Sequence, residues 1–135
     1  MAGSNYLLDT HSLLWFQENS PKVPEHVMKV IQKPENVIYF SQVSIFEISI
    51  KHAIGKLPPF SASAEDIYLQ AMKDGFTFIP IQNKHIFHYS KVPVLKDHRD
   101  PFDRLLIATA MQENATILSA DKQLGLYSDL INVLW

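Results

Sequence analysis

At 135 residues, 47% apolar and 19% charged, the chain suits one globular domain with a single sizeable core, and a second domain is not expected. A formal net charge of -2 argues against coating nucleic acid by bulk electrostatics, so any such binding rests on a local basic patch. The absence of cysteine excludes a disulfide scaffold, a thiol nucleophile and a thiolate metal site, which fits a reducing cytoplasm.

Met1-Ala2-Gly3-Ser4 has neither the basic nor the apolar region of a signal peptide, and no apolar run approaches the roughly 20 residues that cross a bilayer. A cytoplasmic protein without membrane contact is expected. These four small residues have no evident structural task, are either native or an added remnant, and are set aside, so the domain is taken as residues 5–135.

Tyr6-Leu7-Leu8 is a short apolar run ended by Asp9 and Thr10, which suits a buried strand followed by a helix from about Ser12 to Gln17. Pro24 opens a second helix with Val27, Val30 and Ile31 on one face, closed by Pro34. Val37-Ile38-Tyr39-Phe40 is β-branched and aromatic and predicts the second strand. A helix from Ser44 to Ile54 follows, ended by Gly55. Pro58-Pro59 marks a loop, Ala64 to Lys73 a helix, Thr77 to Ile79 a third strand closed by Pro80, and Lys84 to Tyr89 a short helix.

The stretch from Lys91 to Arg99 is irregular, and Asp100-Pro101 then caps and opens a helix reaching about Glu113. Thr116-Ile117-Leu118 is a strand, Asp121 a turn, and Ile131 to Leu134 a last strand. Apolar strands alternating with helices imply a parallel sheet covered on both faces, hence an α/β fold.

Four acids fall at comparable places: Asp9 after the first strand, Glu47 in the first turn of the helix after the second, Asp103 in the first turn of the late helix, and Asp121 beyond the fourth strand. Each has a purely structural role open to it. Asp9 suits a turn or cap, Ser44-Ile45-Phe46-Glu47 a capping box, Asp103 the positive end of a helix dipole, and Asp121 the start of a short helix from Lys122 to Leu126.

Against that, steps of three, four and seven from Asp103 reach Leu106, Ile107 and Ala110, and Val43, Ile50 and Ile54 share a face with Glu47. Two acids thus lie on apolar stripes. In an open parallel sheet, ligands bind beyond the carboxyl ends of the strands, where all four acids can converge. Carboxylates held together repel unless a cation neutralises them, and oxygen-only ligands favour Mg²⁺ or Mn²⁺ over zinc. Such a site suits metal-activated water attacking a phosphodiester, with one or two ions.

Leu7-Leu8-Asp9-Thr10-His11 with Leu14-Trp15, then Ser41, Ser44 and Glu47, then His98-Arg99-Asp100-Pro101-Phe102-Asp103-Arg104, then Leu118-Ser119-Ala120-Asp121 resemble the PIN-domain family and, within it, VapC-type toxins of toxin–antitoxin pairs. The resemblance covers the chain from Asn5 onward. It implies a Rossmann-like sheet of order 3-2-1-4-5 and a Mg²⁺- or Mn²⁺-dependent endoribonuclease, homodimeric and restrained by a cognate antitoxin. It assigns metal binding to Asp9, Glu47, Asp103 and Asp121, and the orienting of those acids to the hydroxyls of Thr10, Ser44 and Ser119. Many family members carry threonine where Ser119 stands. Asp100 is assigned to capping.

Arg104 is a candidate phosphate contact or a solvated arginine pairing near Asp100 or Glu113. Arg99, Lys51, His98 and Lys96 are candidates for a local positive field or ordinary surface charges. His11 is read as packed or capping, and Trp15, Phe40 and Phe46 as core. Competing functions are a nuclease acting on structured DNA, a Mg²⁺-binding receiver-like signalling domain, and a non-catalytic partner-binding domain. The receiver reading wants adjacent acids after strand one, where Asp9 is followed by Thr10.

Overall fold

The computed structural model describes residues 3–57, 61–96, 98 and 100–135. Its elements in chain order are β1 (Asn5–Leu8), α1 (Thr10–Gln17), α2 (Glu25–Gln32), β2 (Val37–Ser41), α3 (Gln42–Ala53), α4 (Ala64–Lys73), β3 (Thr77–Ile79), α5 (Asn83–Tyr89), α6 (Pro101–Glu113), β4 (Thr116–Leu118), a 3-10 helix (Lys122–Tyr127) and β5 (Val133–Leu134). The loop expected at Pro58-Pro59 lies outside the described residues.

All strand pairs are parallel, in the order β3-β2-β1-β4-β5, which is the expected topology. Side chains alternate across each strand, so Leu7 and Ile117 enter one core while Leu8, Phe40 and Leu118 enter the other. Leu106, Ile107 and Ala110 of α6 cover the first face. Leu13 of α1, Val27 of α2, Ile48 of α3 and Ile67 of α4 cover the second. Burial on both faces explains why the strands lack polar alternation. The strand order reverses between β1 and β4, so Asp9 and Ser119, which follow these neighbouring strands, emerge at the switch point.

Several boundaries move for local reasons. Helix α1 starts at Thr10 because the Asp9 side chain caps it through Ser12 N. Helix α3 starts at Gln42 because Ser41 is its cap, accepting from Val43 N at 3.0 Å. The expected Ser44–Glu47 capping box is therefore absent, and Glu47 sits in the second turn. The stripe of Val43, Ile50 and Ile54 is also corrected: α3 buries Val43, Ser44 and Ile48, while Ile54 is its exposed C-cap. The last strand shortens to Val133–Leu134, with Ile131 turned into the core.

Ser4, set aside on sequence, extends the edge of β1: its carbonyl accepts from Val37 N at 2.9 Å and its N–H donates to Asn36 Oδ1 at 3.1 Å. Phe40 is core, as expected, and Trp15 is partly buried against the ring of Trp135. Phe46 is not core. It is 55% exposed on the outer side of α3, meeting only the edge of Phe102 among aromatic rings of the described residues. No helix among the described residues is long and apolar enough to cross a membrane.

Candidate metal centre

On the β1 side of the sheet end, both oxygens of Asp9 are held. Oδ1 accepts from Ser12 N at 2.9 Å and Oδ2 from Ser119 Oγ at 2.5 Å. The same serine oxygen accepts from Asp121 N at 3.0 Å, so one buried hydroxyl at the end of β4 ties two of the four acids together. Thr10 Oγ1 donates to Glu47 Oε1 at 2.7 Å and lies 3.0 Å from Ser44 Oγ, fixing α1 to α3. Glu47 Oε2 pairs with Lys51 Nζ at 3.2 Å, one helical turn on.

On the α6 side, Asp100 accepts from Phe102 N at 2.8 Å and Asp103 N at 3.4 Å, which is the capping role expected of it. Asp103, one turn inside, has Oδ2 at 3.1 Å from Nε2 of His98, and His98 Nδ1 lies 2.7 Å from Tyr127 Oη. Burial, then the neighbouring charge of Asp100, raises the Asp103 carboxyl to about 6, against the opposing pull of the His98 hydrogen bond. Asp121 caps the 3-10 helix through Gln123 N at 2.9 Å while remaining exposed.

Asp9, Glu47, Asp103 and Asp121 line one open cleft of about 440 Å³, with Thr10, Lys51 and His98 also on its walls. A larger cavity of about 670 Å³ lies between α1 and α4 and contains none of these acids, so size does not mark the chemistry. Ligand atoms of His98, Asp103 and Asp121 lie within 4.8 Å of one another. Asp9 and Glu47 do not join that tighter group: serine and backbone hold Asp9, and Glu47 leans toward Lys51.

Arg104 is corrected. Its guanidinium is buried, donating to Tyr89 Oη and Val92 O at 2.7 Å each and stacking on the Tyr89 ring, so it faces away from the cleft. Arg99 lies outside the described residues. His11 is exposed on the cleft rim with its ring near Trp15, neither packed in the core nor a cap. His98, read on sequence as a surface charge, is instead 4% exposed and bonded at both nitrogens. No local pattern marks it, because its partner Tyr127 lies 29 residues onward.

A small divalent cation fits this donor set. The acids are hard oxygen donors, and among the described residues Lys51 is the only lysine or arginine within ion-pair distance of any of the four. Asp103 Oδ1 and Asp121 Oδ2 accept no hydrogen bond from the described residues, which leaves oxygen lone pairs free.

A parallel α/β sheet with an acid-lined cleft at its switch point defines the class. The PIN domain family model matches residues 6–129, and the chain belongs to that family. Among solved structures it is similar to VapBC-1 of nontypeable Haemophilus influenzae, with a TM-score of 0.67, 21% identity and 96% of each chain covered. It is also similar to VapBC2 of Rickettsia felis bound to a promoter DNA fragment, with a TM-score of 0.66, 18% identity and 96% and 97% covered. A third is VapBC-5 of Mycobacterium tuberculosis, from a toxin-antitoxin family, with a TM-score of 0.58, 13% identity and 97% and 96% covered. At these identities the likeness is one of fold. No curated protein matches the sequence.

Proposed function

We propose that the chain is a Mg²⁺- or Mn²⁺-dependent endoribonuclease, the toxin of a toxin–antitoxin pair, built as one domain over residues 5–135 and acting in the cytoplasm as a homodimer. The observation that carries this reading is the gathering of Asp9, Glu47, Asp103 and Asp121 on one cleft with a single lysine to offset them among the described residues. The family membership and the likeness to VapBC structures, one of them from a toxin-antitoxin family, support the nuclease class and an antitoxin partner.

Asp9, Glu47, Asp103 and Asp121 would hold one or two ions, and a bound ion supplies positive charge that relieves the acids' repulsion and polarises a phosphodiester. Ser119 and Thr10 keep Asp9 and Glu47 from swinging out of the cleft, so the acids are set before substrate arrives. Lys51, already against Glu47, presents its ammonium at the wall where an RNA phosphate would lie.

Incubation of single-stranded RNA with Mn²⁺ is expected to give internal cleavage that a chelator stops and that DNA of the same sequence does not reproduce. Asp9→Asn and Asp103→Asn should each lower the rate on the order of a hundredfold or more, with circular dichroism unchanged. Cleavage that persists in chelator, or in both variants, overturns the reading. Preference for DNA would transfer the same acids to a deoxyribonuclease.

A further inference from the structure

His98 is buried on the α6 side of the cleft, and the metal reading gives it no task. A buried imidazole without partners is costly, yet here both nitrogens are engaged. A neutral imidazole has one N–H and one lone pair, and its partners decide which nitrogen bears the proton. Tyr127 is itself 1% exposed, and among the described residues His98 Nδ1 is the only hydrogen-bond partner of its hydroxyl. The Tyr127 proton therefore points at Nδ1, Nε2 carries the ring proton, and Nε2–H donates to Asp103 Oδ2. The reverse tautomer would aim the Nε2 lone pair at a carboxylate and leave the Tyr127 O–H without an acceptor.

The backbone around His98 is also held. His98 N donates to Leu95 O at 3.2 Å, and Arg104 grips the same segment through Val92 O and Tyr89 Oη. Tyr127 ends the 3-10 helix that Asp121 begins, so one chain of contacts spans two of the acids.

We propose that His98 is a positioning residue for Asp103: Tyr127 selects the imidazole tautomer, and His98 Nε2–H holds one Asp103 oxygen so that the other is left for the cation. This rests on the metal reading above. While Nε2 carries its proton, His98 is not itself a ligand.

Two measurements test it. In protein with ¹⁵N-labelled histidine, NMR should find the His98 proton on Nε2 both without metal and with saturating Mg²⁺. A bare Nε2 in Mg²⁺ would make His98 a ligand and overturn the proposal. Because this arm uses the unaltered chain, it decides even where a variant fails to fold. In calorimetric titration with Mn²⁺ alone, His98→Leu should weaken binding by about tenfold to a hundredfold, and His98→Gln, which restores an N–H donor, should recover most of it. Wild-type binding with His98→Leu unaffected removes the role of His98 alone. No Mn²⁺ binding by the wild type removes the metal reading, and this inference with it.

Discussion

On the β1 side of the cleft the carboxylates are fastened by short contacts to hydroxyls and a backbone amide, Asp9 by Ser12 N and Ser119 and Glu47 by Thr10, with Lys51 as a counter-charge. On the α6 side Asp103 leans on an imidazole, sits next to Asp100, and has its carboxyl raised to about 6. Hydroxyls and amides cannot change charge in the accessible pH range, so the first wall is set once the sheet forms. The second is set by a buried histidine, a tyrosine and an arginine drawn from three different segments, and burial beside Asp100 disfavours the charged form of its acid. A site divided in this way holds two acids by fixed contacts and leaves a third with its carboxyl raised by burial, so that cation binding there would be coupled to loss of a proton.

Arg104 should give the largest loss that separates the walls. Arg104→Met removes two charge-assisted hydrogen bonds and the stacking on Tyr89, and urea unfolding should show a loss of about 2–4 kcal/mol. Amide exchange should rise first between α5 and the start of α6, with β1 protected. Exchange rising equally in β1 would break the distinction.

Ser119→Ala strikes the other wall, leaving Asp9 Oδ2 and Asp121 N without their shared partner. A stability loss of about 1–3 kcal/mol and roughly tenfold weaker Mn²⁺ binding are expected. Unchanged Mn²⁺ affinity would mean that the hydroxyl serves the fold alone.

The smallest effect is in pH dependence. With the Asp103 carboxyl raised from 3.8 to about 6, the folded chain between these values keeps a proton that the unfolded chain has released. Its contribution to stability therefore falls as pH rises through that window and is lowest above it. Asp103→Asn, free of metal, should be more stable than wild type at pH 7 by about 1–2 kcal/mol, a gap that closes near pH 4. Saturating Mn²⁺ at pH 7 should favour the wild type instead. A gap independent of pH would show that burial of Asp103 carries no charge penalty.

Most of the fold was legible because its signals are local. Apolar strands without alternation require a doubly covered parallel sheet, and Asp100-Pro101 is a cap followed by a first-turn proline that the structure keeps. Leu106, Ile107 and Ala110 were legible as a buried face of α6 because helical spacing alone sets it. Errors arose where the adjoining element or a distant segment decides. Ser41 captured the start of α3 before Ser44 could, because β2 runs into the helix without a loop. Arg104 resembled a phosphate ligand until Tyr89 and Val92, across another helix, enclosed it. His98 gained its role only when Tyr127, 29 residues onward, closed over it.

On the reading proposed above, the acids of both walls serve one shared site for small divalent cations, holding one or two ions. Anomalous diffraction from a crystal soaked in Mn²⁺ tests it most directly. A peak is expected inside the cleft bounded by Asp9, Glu47, Asp103 and Asp121, with His98 Nε2 outside bonding distance of it. A fully soaked crystal with no peak in that cleft, or with Mn²⁺ bound only elsewhere on the chain, would contradict it.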